Sequence, residues 1–196
     1  MYGGTVEGDA EVFEAERAHL RHFWSNRSQE EFVWALGPVE RSLPGFAVRR
    51  VAPAEPNDPW VYVSLGAWQA TRDSDHGMEF FLLSPREDPL HVELLAMVAN
   101  LHADNRYHLK VGSTIDIGRP WIEGSTTDYL LVSLPYPYGP TLEMCYVGAR
   151  HIRFLWLVPI SRAEADLVRD QGLEVLEDKL DRSGVDVISP TRSSLV

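Results

Sequence analysis

Short apolar runs of strand length alternate with amphipathic stretches of helical length, which predicts an α+β domain built on a mixed, mainly antiparallel sheet packed by helices. Three observations carry this. Phe154 to Val158 form an unbroken apolar run, as in a strand covered on both faces, and Ser161-Arg162-Ala163-Glu164 follows with the residue types of a capping box. Trp60–Trp68 and Met78–Leu83 are β-branched and aromatic runs joined by a short polar connection, the pattern of an antiparallel pair. Pro89 opens an amphipathic segment with Leu90, Leu94, Met97, Val98 and Leu101 at helical spacing, suited to packing on a sheet.

The remaining elements follow in order. Residues 1–8 read as a flexible lead-in, 9–188 as one domain and 189–196 as a tail. Asp9 is placed to cap a helix carrying Phe13, Leu20, Phe23 and Trp24. Phe32, Trp34 and Leu36 alternate as a strand does until Gly37-Pro38 interrupts. Pro44-Gly45 offers a turn before Phe46, Val48 and Val51, where Arg49 and Arg50 suggest one wet side. The proline-rich stretch 53–59 predicts an irregular loop, and Gly66 a bulge. Glycines 112, 118 and 124 divide short extended pieces before the strand Tyr129–Leu134, and Pro135 to Pro140 alternates prolines with tyrosines. Leu142–Val147 and Ile152–Ile160 pair across Gly148; a helix then runs from Ser161 to Gly172, and Leu173, Leu176 and Leu180 form a last stripe ending at Gly184. Val185–Ile188 reads as a short edge strand. No internal repeat or low-complexity tract occurs.

Charge narrows the partners. Eighteen Lys and Arg stand against 29 Asp and Glu, a net charge of −11, which repels phosphate backbones and favours basic partners through long-range steering. No nucleic acid and no membrane are expected as partners. The start of the chain lacks the cationic-then-apolar pattern of a leader, and nowhere do eighteen apolar residues run together, so a cytoplasmic location is expected. Cys145 is the single cysteine, sits in an apolar run and reads as a buried, inert thiol.

Catalytic signatures are absent: neither glycine-rich phosphate loop, no G-x-S-x-G elbow and no H-E-x-x-H helix occurs. His19 and His22 lie three apart on the first helix, but a third ligand is missing, so they read as surface histidines and no metal or cofactor is expected. The best acid–base set is His76, Glu79, His108 and Asp116, which would have to converge from separate strands; solvated loop residues are the plainer reading. Rigid aromatics beside acidic loop residues make a better case for protein binding: Trp68, Trp121, Tyr136 and Tyr138, with Asp73, Asp75 and Glu123. For the tryptophans, a core-capping role competes with recognition. A third possibility is a homo-oligomeric scaffold using an exposed sheet edge.

The segments WVYVSLG, GMEFFLL, PLHVELLAMVANLHADN, VGSTIDIGRPW, DYLLV and IRFLWLVPISRAEADLVRDQG, in that order, resemble the suppressor-of-fused domain family in its bacterial form. The resemblance covers Trp60 to Gly184 in detail. It implies a non-enzymatic domain that binds other proteins. Animal members clasp a short extended peptide, while bacterial members are regarded as immunity proteins that neutralise a toxin, a role the acidic surface suits if the toxin is basic. In the animal proteins, acidic and tyrosine side chains just after the segment matching Tyr62–Gly66 bind peptide. Here AWQATRDSDHG keeps Asp73 and Asp75 but has no tyrosine.

Overall fold

A computed structural model describes residues 6–107 and 109–196. They form two units, each described separately. Unit 1 comprises the described part of Met1–His108 with Leu134–Leu155, and unit 2 comprises Leu109–Ser133 with Trp156–Val196. The chain is mixed α+β, as expected, and every strand pair whose register is resolved is antiparallel. No described helix is long and apolar enough to cross a membrane.

In unit 1, α1 (Val6–Phe23) precedes β1 (Gln29–Val33), α2 (Gly37–Ser42), β2 (Ala47–Val51), β3 (Trp60–Leu65), β4 (His76–Ser84) and α3 (Leu90–Ala103). Further along come α4 (Pro140–Glu143), β7 (Met144–Val147) and the first half of β8 (Arg150–Ile160). The strand order is β1-β2-β3-β4-β8, with β7 also on β8. The expected β3–β4 pair is antiparallel, with Tyr62 opposite Leu82. Alternation along β4 serves both helices: Phe80 meets the His102 ring of α3 at 5.4 Å, while the adjacent Glu79 faces Glu16 of α1.

Several expectations need correction. α1 begins at Val6, before Asp9, and its buried stripe is Val12, Glu16 and Leu20, continued by Trp24. β1 ends at Val33, because Pro38 starts α2 within its first turn and leaves Leu36 exposed. Arg49 is buried rather than wet: its guanidinium donates to Glu31 at 2.8 Å, and Arg17 grips the same carboxylate at 2.7 Å. Gly66 is no bulge; at φ +98° it turns the chain into a 3-10 turn, Ala67–Thr71. The buried face of α3 is rotated from the expected stripe. Met97 and Leu90 are exposed, whereas His91, Leu94, Leu95, Val98 and His102 are buried. The His91 ring meets Tyr62 edge-on at 5.1 Å and the Ser84 hydroxyl at 3.1 Å.

Unit 2 holds β5 (Thr114–Asp116), β6 (Tyr129–Ser133), the second half of β8, α5 (Arg162–Gln171) and α6 (Leu173–Ser183), with the strand order β8-β6-β5. Leu131 stands opposite Val158. The capping box forms as expected: Ser161 Oγ accepts from the Glu164 amide, and the Glu164 carboxylate accepts from the Ser161 amide at 2.8 Å. Asp178 and Arg182 pair at 2.8 Å on α6, which Gly184 ends in a left-handed conformation. Val185–Ile188 forms no strand, because Asp186 accepts from the Ile188 and Ser189 amides and curls it into a turn. The final residues do not trail away. Arg192 is buried against Glu164, at 2.7 and 2.8 Å, and also donates to the Pro159 carbonyl.

Candidate functional site

The chain from Gly66 to Gly77 is a tight loop moulded around a buried carboxylate. Glu79 accepts from the Ser64 hydroxyl and from the amides of Gly66 and Trp68 at 2.8 and 3.0 Å, which fixes both ends of the turn. Thr71 then donates to the His76 carbonyl at 2.8 Å, closing the loop on itself. Burial pushes the Glu79 carboxyl up to about 7, with the three donors opposing that rise. Glu16, equally buried, is driven well above the ordinary glutamate range by burial and then by the charge of Glu79. Cys145 lies beside them, and its thiol is pushed up to about 11 by burial and next by Glu79. It is buried, as expected, and its low acidity makes it a poor nucleophile.

A second element clamps this loop. In the β7–β8 hairpin, the His151 amide donates to the Asp75 carbonyl at 2.9 Å, and Arg150 donates to the Arg72 carbonyl at 2.6 Å. The Arg150 guanidinium also stacks 5.0 Å above the Trp68 ring. The loop therefore presents the exposed side chains of Asp73 and Asp75 on a fixed backbone. Tyr146, on the same hairpin, is 71% exposed, enough to offer most of its ring to a partner.

The expected protein-binding residues divide between the units. Trp68, Asp73, Asp75, Tyr136 and Tyr138 belong to unit 1, and Trp121 and Glu123 to unit 2. Trp68 and Trp121 are buried, so neither is a surface anchor; apolar area wins over the polar indole edge, and both serve the core. Tyr138 is largely core as well: its ring packs edge-on to Phe23 and Trp24 at 5.6 and 5.4 Å. Tyr136, two residues earlier, is exposed, as are Asp73, Asp75 and Glu123.

Within unit 1, His76 and Glu79 of the acid–base set are not brought together. His76 and Glu79 are three apart on one strand and so point to opposite faces, one exposed and one fully buried. Asp116 is in unit 2, where the Tyr129 hydroxyl, the Gly118 amide and Arg162 hold its carboxyl below its usual range. His108 lies outside the described residues. His19 stacks on Phe154 at 5.4 Å and bonds the Leu142 carbonyl at 2.9 Å, so it serves packing.

The sequence reading missed the hairpin residues Tyr146, Arg150 and His151. Period-two alternation across Gly148 was the available signal, since it places Met144 opposite Arg153 and Tyr146 opposite His151.

The family model for the suppressor of fused protein (SUFU) matches residues 42–193. A crystal structure of a SUFU homolog from Neisseria gonorrhoeae FA 1090 is similar at 39% identity and TM-score 0.85, over 95% of this chain and 98% of that one. A chain of the Sufu–Fu complex shares the fold at 14% identity and TM-score 0.71, over 94% of this chain and 92% of that one. Drosophila Suppressor of Fused shares it at 14% identity and TM-score 0.73, with 94% of this chain covering 51% of that one. No curated protein matches.

Proposed function

The chain belongs to the suppressor of fused family, and from that premise we propose that it is a non-enzymatic domain whose work is to bind another protein. Family membership over residues 42–193 carries the reading. The fixed acidic loop supports it, because Asp73 and Asp75 are exposed on a backbone held by Glu79 from within and Arg150 from outside. A relative of the same fold, Sufu, was solved in complex with Fu. The net charge of −11 selects a basic partner, and a basic toxin neutralised in the cytoplasm, or an extended basic peptide, fits that charge. Tyr136, Tyr146 and Glu123 are further contact candidates, and the buried Trp68 supports the acidic loop through the Arg150 guanidinium stacked on its ring.

Co-expression with the products of adjacent genes, followed by capture at low and moderate salt, tests this reading. The expected result is one basic protein held in a stoichiometric complex that weakens as salt rises. Capture of no protein, or of one whose association ignores salt, overturns the basic-partner assignment.

A further inference from the structure

Beside the acidic loop, β4 and the β7–β8 hairpin enclose a groove of about 460 Å³ lined by His76, Met78, Met144, His151, Glu143 and Arg153, with Gly77 at its floor. Strand alternation explains why these residues share a face. His76 and Met78 are two apart on β4, His151 and Arg153 are two apart on β8, and Met144 stands opposite Arg153 on β7. The intervening residues point the other way: Gly77 closes on Ile152, and Cys145 and Glu79 are buried. Two imidazoles meet in the groove, with His76 Nδ1 facing His151 Nε2 and ring centroids 4.1 Å apart. Their backbones are held in register by the bond from the His151 amide to the Asp75 carbonyl.

We propose that this groove binds one soft monovalent cation, Cu(I), between His76 and His151, with the thioethers of Met78 and Met144 as additional ligands. Imidazole suits copper, and thioether sulfur selects Cu(I) over hard cations. The one carboxylate in the groove, Glu143, is already engaged by Arg153 at 2.6 Å. Among the described residues no three His, Cys, Asp or Glu side chains cluster as metal ligands, which disfavours a closed zinc site here. Exposure of His76 lets its ring swing aside to admit the ion, and the protein's negative charge attracts a cation. The assignment is independent of the protein-binding reading.

Anaerobic titration of the whole chain with Cu(I), buffered by a chromogenic chelator, tests the site. One equivalent should bind, and His76→Ala and His151→Ala should each weaken binding at least about tenfold. Met78→Leu and Met144→Leu conserve packing volume and should also weaken Cu(I), which keeps the test informative if a histidine variant fails to fold. His22→Ala and Cys145→Ser are the controls and should leave binding unchanged. Binding that survives His151→Ala, that disappears with Cys145→Ser, or that is matched in affinity by Zn(II) overturns the assignment.

Discussion

Arg192 closes a bidentate ion pair with Glu164 across 28 residues of chain, and the two side chains are 1% and 0% exposed. The same carboxylate caps α5 through the Ser161 amide and accepts from the Leu195 amide at 3.0 Å. Burial would raise the Glu164 carboxyl, but Arg192 and the amide donors overcome it and hold it below the ordinary range. Arg192→Met leaves that charge buried without its partner, and should lower unfolding free energy by about 3–5 kcal/mol in urea titrations. The double variant Arg192→Met with Glu164→Leu should recover part of the loss, since no buried charge then remains.

Gly77 sits where a side chain has no room: a Cβ there would stand 2.5 Å from Ile152 Cδ1 and 2.7 Å from Trp68 Cβ. Gly77→Ala should therefore cost about 1–3 kcal/mol through overpacking. Ile152→Val removes the nearer atom. Combined with Gly77→Ala it should show a favourable coupling of about 0.5 kcal/mol or more in a double-mutant cycle, whereas strict additivity would mean that the hairpin shifts away instead.

Glu16 and Glu79 give stability a pH dependence of opposite sign to that of Glu31. A carboxyl raised in the folded state favours folding while protonated; that contribution is intact below the unfolded value and is lost as pH rises through about 7. Glu31 runs the other way. Burial alone would raise it, but Arg17 and Arg49 lower it, so its contribution is lost as pH falls below the unfolded carboxylate range. The urea midpoint should be highest in weak acid, decline as pH rises from the unfolded carboxylate range, and have lost the Glu79 contribution by about pH 7. Glu16→Gln should flatten the alkaline side of this profile and leave the acid side unchanged.

The charge reversal Asp73→Lys with Asp75→Lys should slow association with a basic partner by about tenfold at low salt, with a smaller effect on dissociation. Both side chains are exposed, so the melting temperature should stay close to that of the parent. Stopped-flow association rates across an ionic-strength series measure the effect, and an unchanged rate removes these residues from the encounter surface.

The sheet was legible where periodicity and turn chemistry agree: β3 with β4, the hairpin across Gly148, and the capping box at Ser161. It failed where a charge is buried with its partner. Arg49 and Glu79 read as wet positions because a pattern rule cannot see that Arg17 and Arg49 share Glu31, or that Ser64 and two amides surround Glu79. The stripe on α3 failed for a related reason. His91 and His102 pack their rings edge-on to Tyr62 and Phe80, and so displace Leu90 and Met97 to the surface. At the candidate site, the acidic loop was visible in the sequence, but the hairpin that clamps the loop depends on contacts between residues far apart in the chain, His151 with Asp75 and Arg150 with Arg72.

The two units are interleaved along the chain: Leu109–Ser133 interrupts the first, and Leu134–Leu155 interrupts the second. Neither can be released by a single proteolytic cut, and neither is complete on a ribosome until most of the chain has been made. The partner strand that supplies His151 and Arg150 to the Trp68 loop emerges long after that loop does. Translation thus leaves the N-terminal strands waiting with an open edge, so nascent-chain protection against pairing with other chains should matter more here than for a domain that folds in sequence order.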